Sequence, residues 1–313
     1  MPRLLSVGEF PSNWTDETYD LAIAAIGYEQ RARAVFESHS LDVKAKAACG
    51  FNRQEVLEYS RNLEWFRAEN FATASVDDYD YPLWLDEALK VIHSARQRTK
   101  VLVDISSLTR VRIANLISAF RRILTDQDVD AYFVYSLAAF TPPLTEQPPN
   151  THVGPVTHEF AGWWSEPDRA LSAVVGLGYE QDKALGAVEH LQADEIWLFR
   201  PKSKISEYSV ALEEANGTLL RATGLDKQFL YRVQDPLACF VKLESLVQGL
   251  SRESNVVLLP FGPKIFALCS LLVGAMDTQV AVWRVSAQGD EEPVNRKGSG
   301  YCYGLRVTFG STT

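Results

Sequence analysis

Cysteine, histidine and basic charge are all in short supply in this chain. The four cysteines, Cys49, Cys239, Cys269 and Cys302, form no CxxC pair. Cys49, Cys239 and Cys269 lie in apolar runs, where a thiol serves as a small hydrophobe, so a structural zinc site is not expected. The five histidines (His39, His93, His152, His158, His190) show no HExxH or comparable spacing and are read as solvated or hydrogen-bonded side chains. No apolar run approaches the roughly 20 residues that span a bilayer. Residues 1–10 turn polar too quickly for a signal peptide, so a cytoplasmic protein without a membrane partner is expected. With 31 Lys and Arg against 40 Asp and Glu, the net charge is −9. Binding along a phosphate backbone needs a basic face, so duplex nucleic acid is a poor partner, whereas a small anion needs only a few local cations. GxGxxG, Walker A, GxSxG, zincin and kinase patterns are missing. Gly176-Leu177-Gly178 is too short a match to imply a dinucleotide, and no cofactor is expected.

What is present is a repeat. Gly27-Tyr28-Glu29-Gln30 recurs as Gly178-Tyr179-Glu180-Gln181, 151 residues downstream in a chain of 313. Each copy follows an apolar run, residues 21–26 and 171–177, and each opens a stretch of helical periodicity. A repeat at half the chain length points to two copies of one structural unit.

The element pattern agrees. In the first half, strands are expected at 19–27, 44–51, 72–76, 100–105 and 129–137, with helices at 29–37, 54–71, 83–97 and 108–124 between them. In the second half, strands are expected at 171–178, 195–199, 228–233, 256–260 and 279–285, with helices at 181–191, 206–220, 236–250 and 263–273. Pro236 sits in a first helical turn, where its missing N–H is harmless. Strands alternating with helices predict an α/β fold of two Rossmann-like parallel-sheet units. The expected boundaries are 1–140 for the first unit, 141–169 for a Pro-rich connector, and 170–313 for the second unit with a C-terminal strand at 301–309. The connector is long enough to hold a short strand of its own near 153–160. Trp163-Trp164 within it reads as a core plug between domains, or else as a docking surface.

In an open parallel sheet, ligands bind beyond the carboxyl ends of the strands where strand order reverses. That singles out the turns after the first and fourth strands. In the first half these are Gly27-Tyr28-Glu29 and Asp104-Ile105-Ser106-Ser107, with Arg110 close behind. In the second they are Gly178-Tyr179-Glu180 and Pro260-Phe261-Gly262-Pro263-Lys264. Each residue has an ordinary reading. Serine after a buried strand caps a helix, glycine makes the turn, and the glutamates suit a helix start. Their conjunction suggests a site for an anion. The hydroxyls and free helix-start N–H groups would bind it, and Arg110 and Lys264, unfavourable to the helix dipole when alone, would be offset by it. Tyr28 and Tyr179 could stack on a base, and Glu29 with Asp104 could hold Mg²⁺ near a phosphate, although no metal is the preferred expectation. Arg53, Arg200, Lys202 and Lys204 follow second strands and could reach the same crevice. Arg31 and Arg33 have Asp182 and Lys183 as counterparts, so the halves are not equivalent.

The stretch from Ala173 to Gly178 with its following helix and Ala193-Asp194-Glu195-Ile196-Trp197-Leu198-Phe199 resembles the opening of the CRISPR-associated Rossmann fold (CARF) family. Val103-Asp104-Ile105-Ser106-Ser107-Leu108-Thr109-Arg110 is similar to that family's second motif. CARF domains, and the related SAVED domains that look like two fused CARF units, sense cyclic oligonucleotides in prokaryotic defence. The resemblance implies a nucleotide-derived ligand in a crevice between two units and an effector protein encoded nearby. The glutamate after the glycine and the Pro260–Lys264 turn depart from the family pattern. A sensor that does not cleave its ligand is the first expectation. A phosphodiesterase built on Ser106, Ser107, Asp104, Arg110 and Glu29, or a non-catalytic interaction subunit, are the rivals.

Overall fold

A computed structural model describes residues 3–52, 55–93, 98–122, 128–144, 150–286 and 292–310. Arg53 and the ends of the expected helices at 54, 94–97 and 123–124 lie outside them. The chain divides into two compact units. One comprises Met1–Ala139 and Pro293–Thr313, the other Phe140–Glu292.

The first unit runs β1 (Arg3–Glu9), β2 (Thr18–Ala25), α1 (Ala34–Ser38), β3 (Asp42–Gly50), α2 (Tyr59–Ala68), β4 (Ala72–Ser75), α3 (Tyr81–Ala88), α4 (Lys90–His93), β5 (Thr99–Asp104), α5 (Arg110–Arg122) and β6 (Val129–Ala138). The second runs β7 (His152–Pro155), β8 (Leu171–Gly176), α6 (Lys183–Leu191), β9 (Glu195–Lys202), α7 (Glu207–Ala215), α8 (Gly217–Ala222), β10 (Gln228–Arg232), α9 (Pro236–Leu250), β11 (Asn255–Pro260), α10 (Lys264–Met276) and β12 (Ala281–Ser286). The last strand, β13 (Gly298–Gly310), belongs to the first unit.

Both sheets carry the same parallel order. The first reads β6-β5-β2-β3-β4 and the second β12-β11-β8-β9-β10. Counted along each unit, that is the 3-2-1-4-5 order of a doubly wound sheet, with its reversal between the first and fourth strands. β2 pairs parallel with β3 and β5, and β8 with β9 and β11. The expected α/β class and the doubling are therefore both seen. The strands are continuous apolar runs because helices cover both faces: Val101, Leu102 and Val103 are fully buried, as are Val257 and Leu258.

Each sheet gains antiparallel strands beyond its fifth parallel strand. In the second unit this is β7, drawn from the Pro-rich stretch and paired with β12. In the first it is β13, paired with β6, with β1 on its far side. The expected boundaries thus need correction. The C-terminal strand completes the first sheet rather than the second, and the connector is part of the second unit. The reason is burial. Leu305, Val307 and Phe309 alternate along β13 and are buried beside β6, with Phe309 against Phe120 of α5 at 5.4 Å. Strand β1 was not anticipated, since its short mixed run acquires a strand's pairing only from β13. The tryptophans separate: Trp164 packs on the second unit's own core, and Trp163 is exposed with its ring beside His158.

Local chemistry explains the element ends. Asp235 caps α9 by accepting from the Ala238 N–H at 3.1 Å, with Pro236 in the first turn. Thr109 does the same for α5, its Oγ1 accepting from the Arg112 N–H at 3.1 Å. The helix expected over 206–220 breaks at Asn216 into α7 and α8.

Candidate functional site

At the reversal point of the first sheet, the turn after β2 and the turn after β5 touch. A Cβ placed on Gly27 would stand 2.9 Å from Ser107 Cβ and 3.1 Å from its Oγ, so only glycine lets the two turns meet. The Ser107 hydroxyl is buried and has no hydrogen-bond partner among the described residues. The second sheet has the same junction in another form. A Cβ on Gly178 would stand 2.9 Å from the Gly262 N, and Gly262 has φ 68°. Backbone approaches backbone there, where in the first unit a serine side chain fills the gap.

A matching pair of asparagines holds both junctions. Asn62 of α2, fully buried, donates from Nδ2 to the carbonyls of Gly27 and Glu29, each at 2.8 Å, and accepts from Arg33 at 3.1 Å. Asn216 donates from Nδ2 to the Gly178 carbonyl at 2.7 Å and to that of Leu212 at 2.8 Å. Sequence reasoning missed both. The signal was an asparagine at a similar distance after each copy of the tetrapeptide. Asn62→Ala is expected to lower stability by about 2–3 kcal/mol, because the Gly27 carbonyl loses its Asn62 donor and the Glu29 carbonyl is left with the Ala32 N–H alone. Asn62→Asp should do no better, since a carboxylate offers those carbonyls no donor. Chemical denaturation checks both variants, and an Asn62→Ala protein as stable as the parent would refute the clamp.

The first turn is also strapped by the returning C-terminal segment. Asn295 Oδ1 accepts from the Gln30 N–H at 2.9 Å, and the Arg296 carbonyl accepts from the Arg31 N–H at 3.0 Å. Glu29 sits inside this knot. Its Oε2 meets Arg31 at 2.7 Å and its Oε1 meets Arg296 at 3.0 Å. Arg31 continues to the Ser136 carbonyl at 3.3 Å and the Tyr135 hydroxyl at 3.5 Å. Burial would lower the Arg31 pKa, but the Glu29 carboxylate, with its hydrogen bond, and Tyr135 together raise it, so the guanidinium stays charged. Glu29 therefore serves two arginines, which removes the reason to expect it on Mg²⁺. Among the described residues no group of three His, Cys, Asp or Glu is placed to hold a metal.

The other expected residues divide. Ser106 is fully buried and its Oγ accepts from the Ser136 N–H at 2.8 Å, tying the β5 turn to β6. Asp104 Oδ1 accepts from the Ser106 N–H at 2.8 Å. Its charge also reaches β13: burial, aided by Asp104, pushes the Cys302 thiol up to about 11. These two residues build the turn, whereas Ser107 lines the contact with Gly27. Arg110 opens α5 and is half-buried. Tyr28 packs against the core cluster of Tyr59, Phe66 and Phe71. In the second unit, Tyr179 forms an aromatic group with Phe140 and Tyr208 at ring distances of 6.2 and 5.4 Å. Glu180 folds back over Gly178, Lys202 is exposed at the end of β9, and Lys264 opens α10 half-buried. Arg200 pairs with Glu213 at 2.9 Å.

The residue that sequence reasoning most clearly overlooked is Arg112, fully buried in the first turn of α5. Its guanidinium donates to the carbonyls of Cys49, Gly50 and Val76 and pairs with Asp78 at 2.8 Å. Phe51 lies 3.7 Å beneath it. It closes the carboxyl ends of β3 and β4.

Fold and junctions together define a tandem Rossmann-like protein with a glycine-built turn contact at the reversal point of each sheet. No protein-family model matches the chain, and no curated protein matches it. Among solved structures, the cytoplasmic domain of a prokaryotic cation chloride cotransporter is similar at 10% identity, over 88% of this chain and 98% of that one, with a TM-score of 0.25. So faint a likeness carries nothing about activity. Among the described residues, no helix is long and apolar enough to cross a membrane.

Proposed function

We propose that this protein binds a nucleotide-derived anion, such as a cyclic oligonucleotide, at the carboxyl end of its first sheet, and acts as a sensor rather than by cleaving it. The observation that carries the reading is the Gly27–Ser107 contact. It joins the two turns that flank the reversal point, where doubly wound sheets take their ligands, and it holds a buried hydroxyl with no partner among the described residues. The start of α5, with Arg110, follows three residues later. A helix start supplies N–H groups for an anion, and Arg110 supplies charge. The commitment of Ser106 to β6 and of Glu29 to two arginines favours binding over chemistry, because it withdraws a nucleophile and a carboxylate from the ligand's side.

Thermal melts across mononucleotides, dinucleotides and cyclic oligonucleotides test this. A true ligand at 100 times its Kd adds about 2.7 kcal/mol, which for a domain of this size raises Tm by about 5–10 °C. Ser107→Ala should leave the unliganded Tm within about 1 °C, because a hydroxyl without a partner contributes little, and should weaken the ligand about fivefold or more. Arg110→Ala should weaken it about tenfold or more, through loss of a charge-assisted contact. No shift anywhere in the panel would sink the reading.

A further inference from the structure

The carboxyl end of the first sheet carries an aromatic surface that none of the turns above accounts for. β13 pairs with β6 in register from Cys302 to Phe309, but between Gly298 and Cys302 the register breaks. Ser299, Gly300 and Tyr301 stand opposite the single residue Leu137, whose carbonyl accepts from Ser299 Oγ at 2.8 Å. This is a bulge of three residues against one at a sheet end, and bulges re-aim side chains and recur beside functional sites. Gly300 takes φ 84° there, and nothing lies within 4 Å of where its Cβ would stand, so the bulge faces open space.

The bulge turns Tyr301 onto Tyr303. Their rings are 6.3 Å apart and within 8° of parallel, and Tyr301 is 41% exposed. Tyr303 stands directly across from Tyr135 of β6. Side chains directly opposite across an antiparallel pair share a face. That face is the one covered by α5, since Phe309 and Phe133 on the same two strands both meet Phe120. Tyr135 leads back to the turn after β2: the Arg31 guanidinium lies 5.7 Å over its ring and bonds the Ser136 carbonyl. The row Arg31, Tyr135, Tyr303, Tyr301 thus runs from the Gly27 turn to the open bulge. The Tyr303 hydroxyl is buried with no hydrogen-bond partner among the described residues, so a donor and acceptor stands ready along the row.

We propose that Tyr301, backed by Tyr303, is a stacking platform for the base of a nucleotide. This rests on the anion site proposed above and adds to it where the base goes. An exposed aromatic face held flat by a second ring is the feature that takes bases without regard to sequence, and base–aromatic stacking is strong enough for one ring to change affinity about tenfold.

The test uses the full chain and two probes, 2-aminopurine riboside 5′-monophosphate, whose fluorescence is quenched by stacking, and ribose 5-phosphate, which has the anion without the base. The expected result is quenching on the parent protein. Tyr301→Ala and Tyr301→Leu should abolish the quenching and raise Kd for the fluorescent nucleotide about tenfold, while Tyr301→Trp retains both. Ribose 5-phosphate should bind parent and Tyr301→Ala alike. Because Tyr301 is exposed, the Tm of all three variants should match the parent's. If the nucleotide binds Tyr301→Ala with unchanged affinity and quenching, the platform is wrong and the anion site stands. If the parent binds neither probe, both fall. A large loss of Tm in both Tyr301→Ala and Tyr301→Leu would assign the ring to packing and overturn the platform.

Discussion

A chain ending at residue 292 is expected to keep its second unit folded and to lose the first. β13 lies between β1 and β6, so its removal orphans β1 and strips the buried edge of β6. It also removes Leu305, Val307 and Phe309, each at most 1% exposed. Emptying the space of one such side chain costs about 2–5 kcal/mol, so three together approach or exceed the 5–15 kcal/mol that holds a domain folded. The strap on Gln30, Arg31 and Glu29 is lost with them. Hydrogen exchange by mass spectrometry reads the outcome: amides in 18–138 should exchange freely while those in 171–286 stay protected. Protection of 18–138 at the parent's level would refute the assignment of the C-terminal strand to the first unit's stability.

Arg112→Met should be the most damaging single substitution, destabilising the first unit by about 3–5 kcal/mol. Methionine fits much of the volume and keeps the contact with Phe51, but it has no donor. The Cys49, Gly50 and Val76 carbonyls and the Asp78 carboxylate then each lose a charged donor, while Cys49, Gly50 and Asp78 keep one neutral donor apiece. The loss falls on the buried carbonyls, at about 1–3 kcal/mol for each one left short of a donor, whereas Asp78, with its side chain 35% exposed, is hydrated by solvent. Arg112→Lys should rescue little, because an ammonium cannot match a planar fork spread over three carbonyls. Calorimetry should show the transition of the first unit falling by about 10 °C with that of the second unchanged. A fall of less than about 2 °C would mean the carbonyls find other donors.

The two predictions concern residues whose importance the sequence concealed. Arg112 reads as one more cation on an amphipathic helix, and nothing local distinguishes it from Arg110. Its role depends on the ends of β3 and β4, which lie 62 and 36 residues back along the chain, arriving beneath it. Glu29 reads as a first-turn carboxylate, and the arginines that claim it come from two residues ahead and from the far C-terminus. By contrast, the contact of the turn after β2 with the turn after β5 was legible. Strand order in a doubly wound sheet obliges the first and fourth strands to be neighbours, so two apolar runs with small residues at their ends suffice to predict it.

By itself, the sequence determined two α/β repeats, the order of helices and strands in each, and the turns that meet where strand order reverses. These follow from local causes: apolar runs of strand length, helical periodicity, and glycine or serine at strand ends. Only the tertiary structure decided that β13 completes the first sheet, that the Pro-rich stretch gives the second sheet its antiparallel edge, and that Asn62 and Asn216 clamp matching turns. Those outcomes turn on which distant partner satisfies a strand edge, a buried carbonyl or a buried charge. Such partners are chosen by burial and hydrogen bonding in three dimensions, and periodicity along the chain carries no record of them.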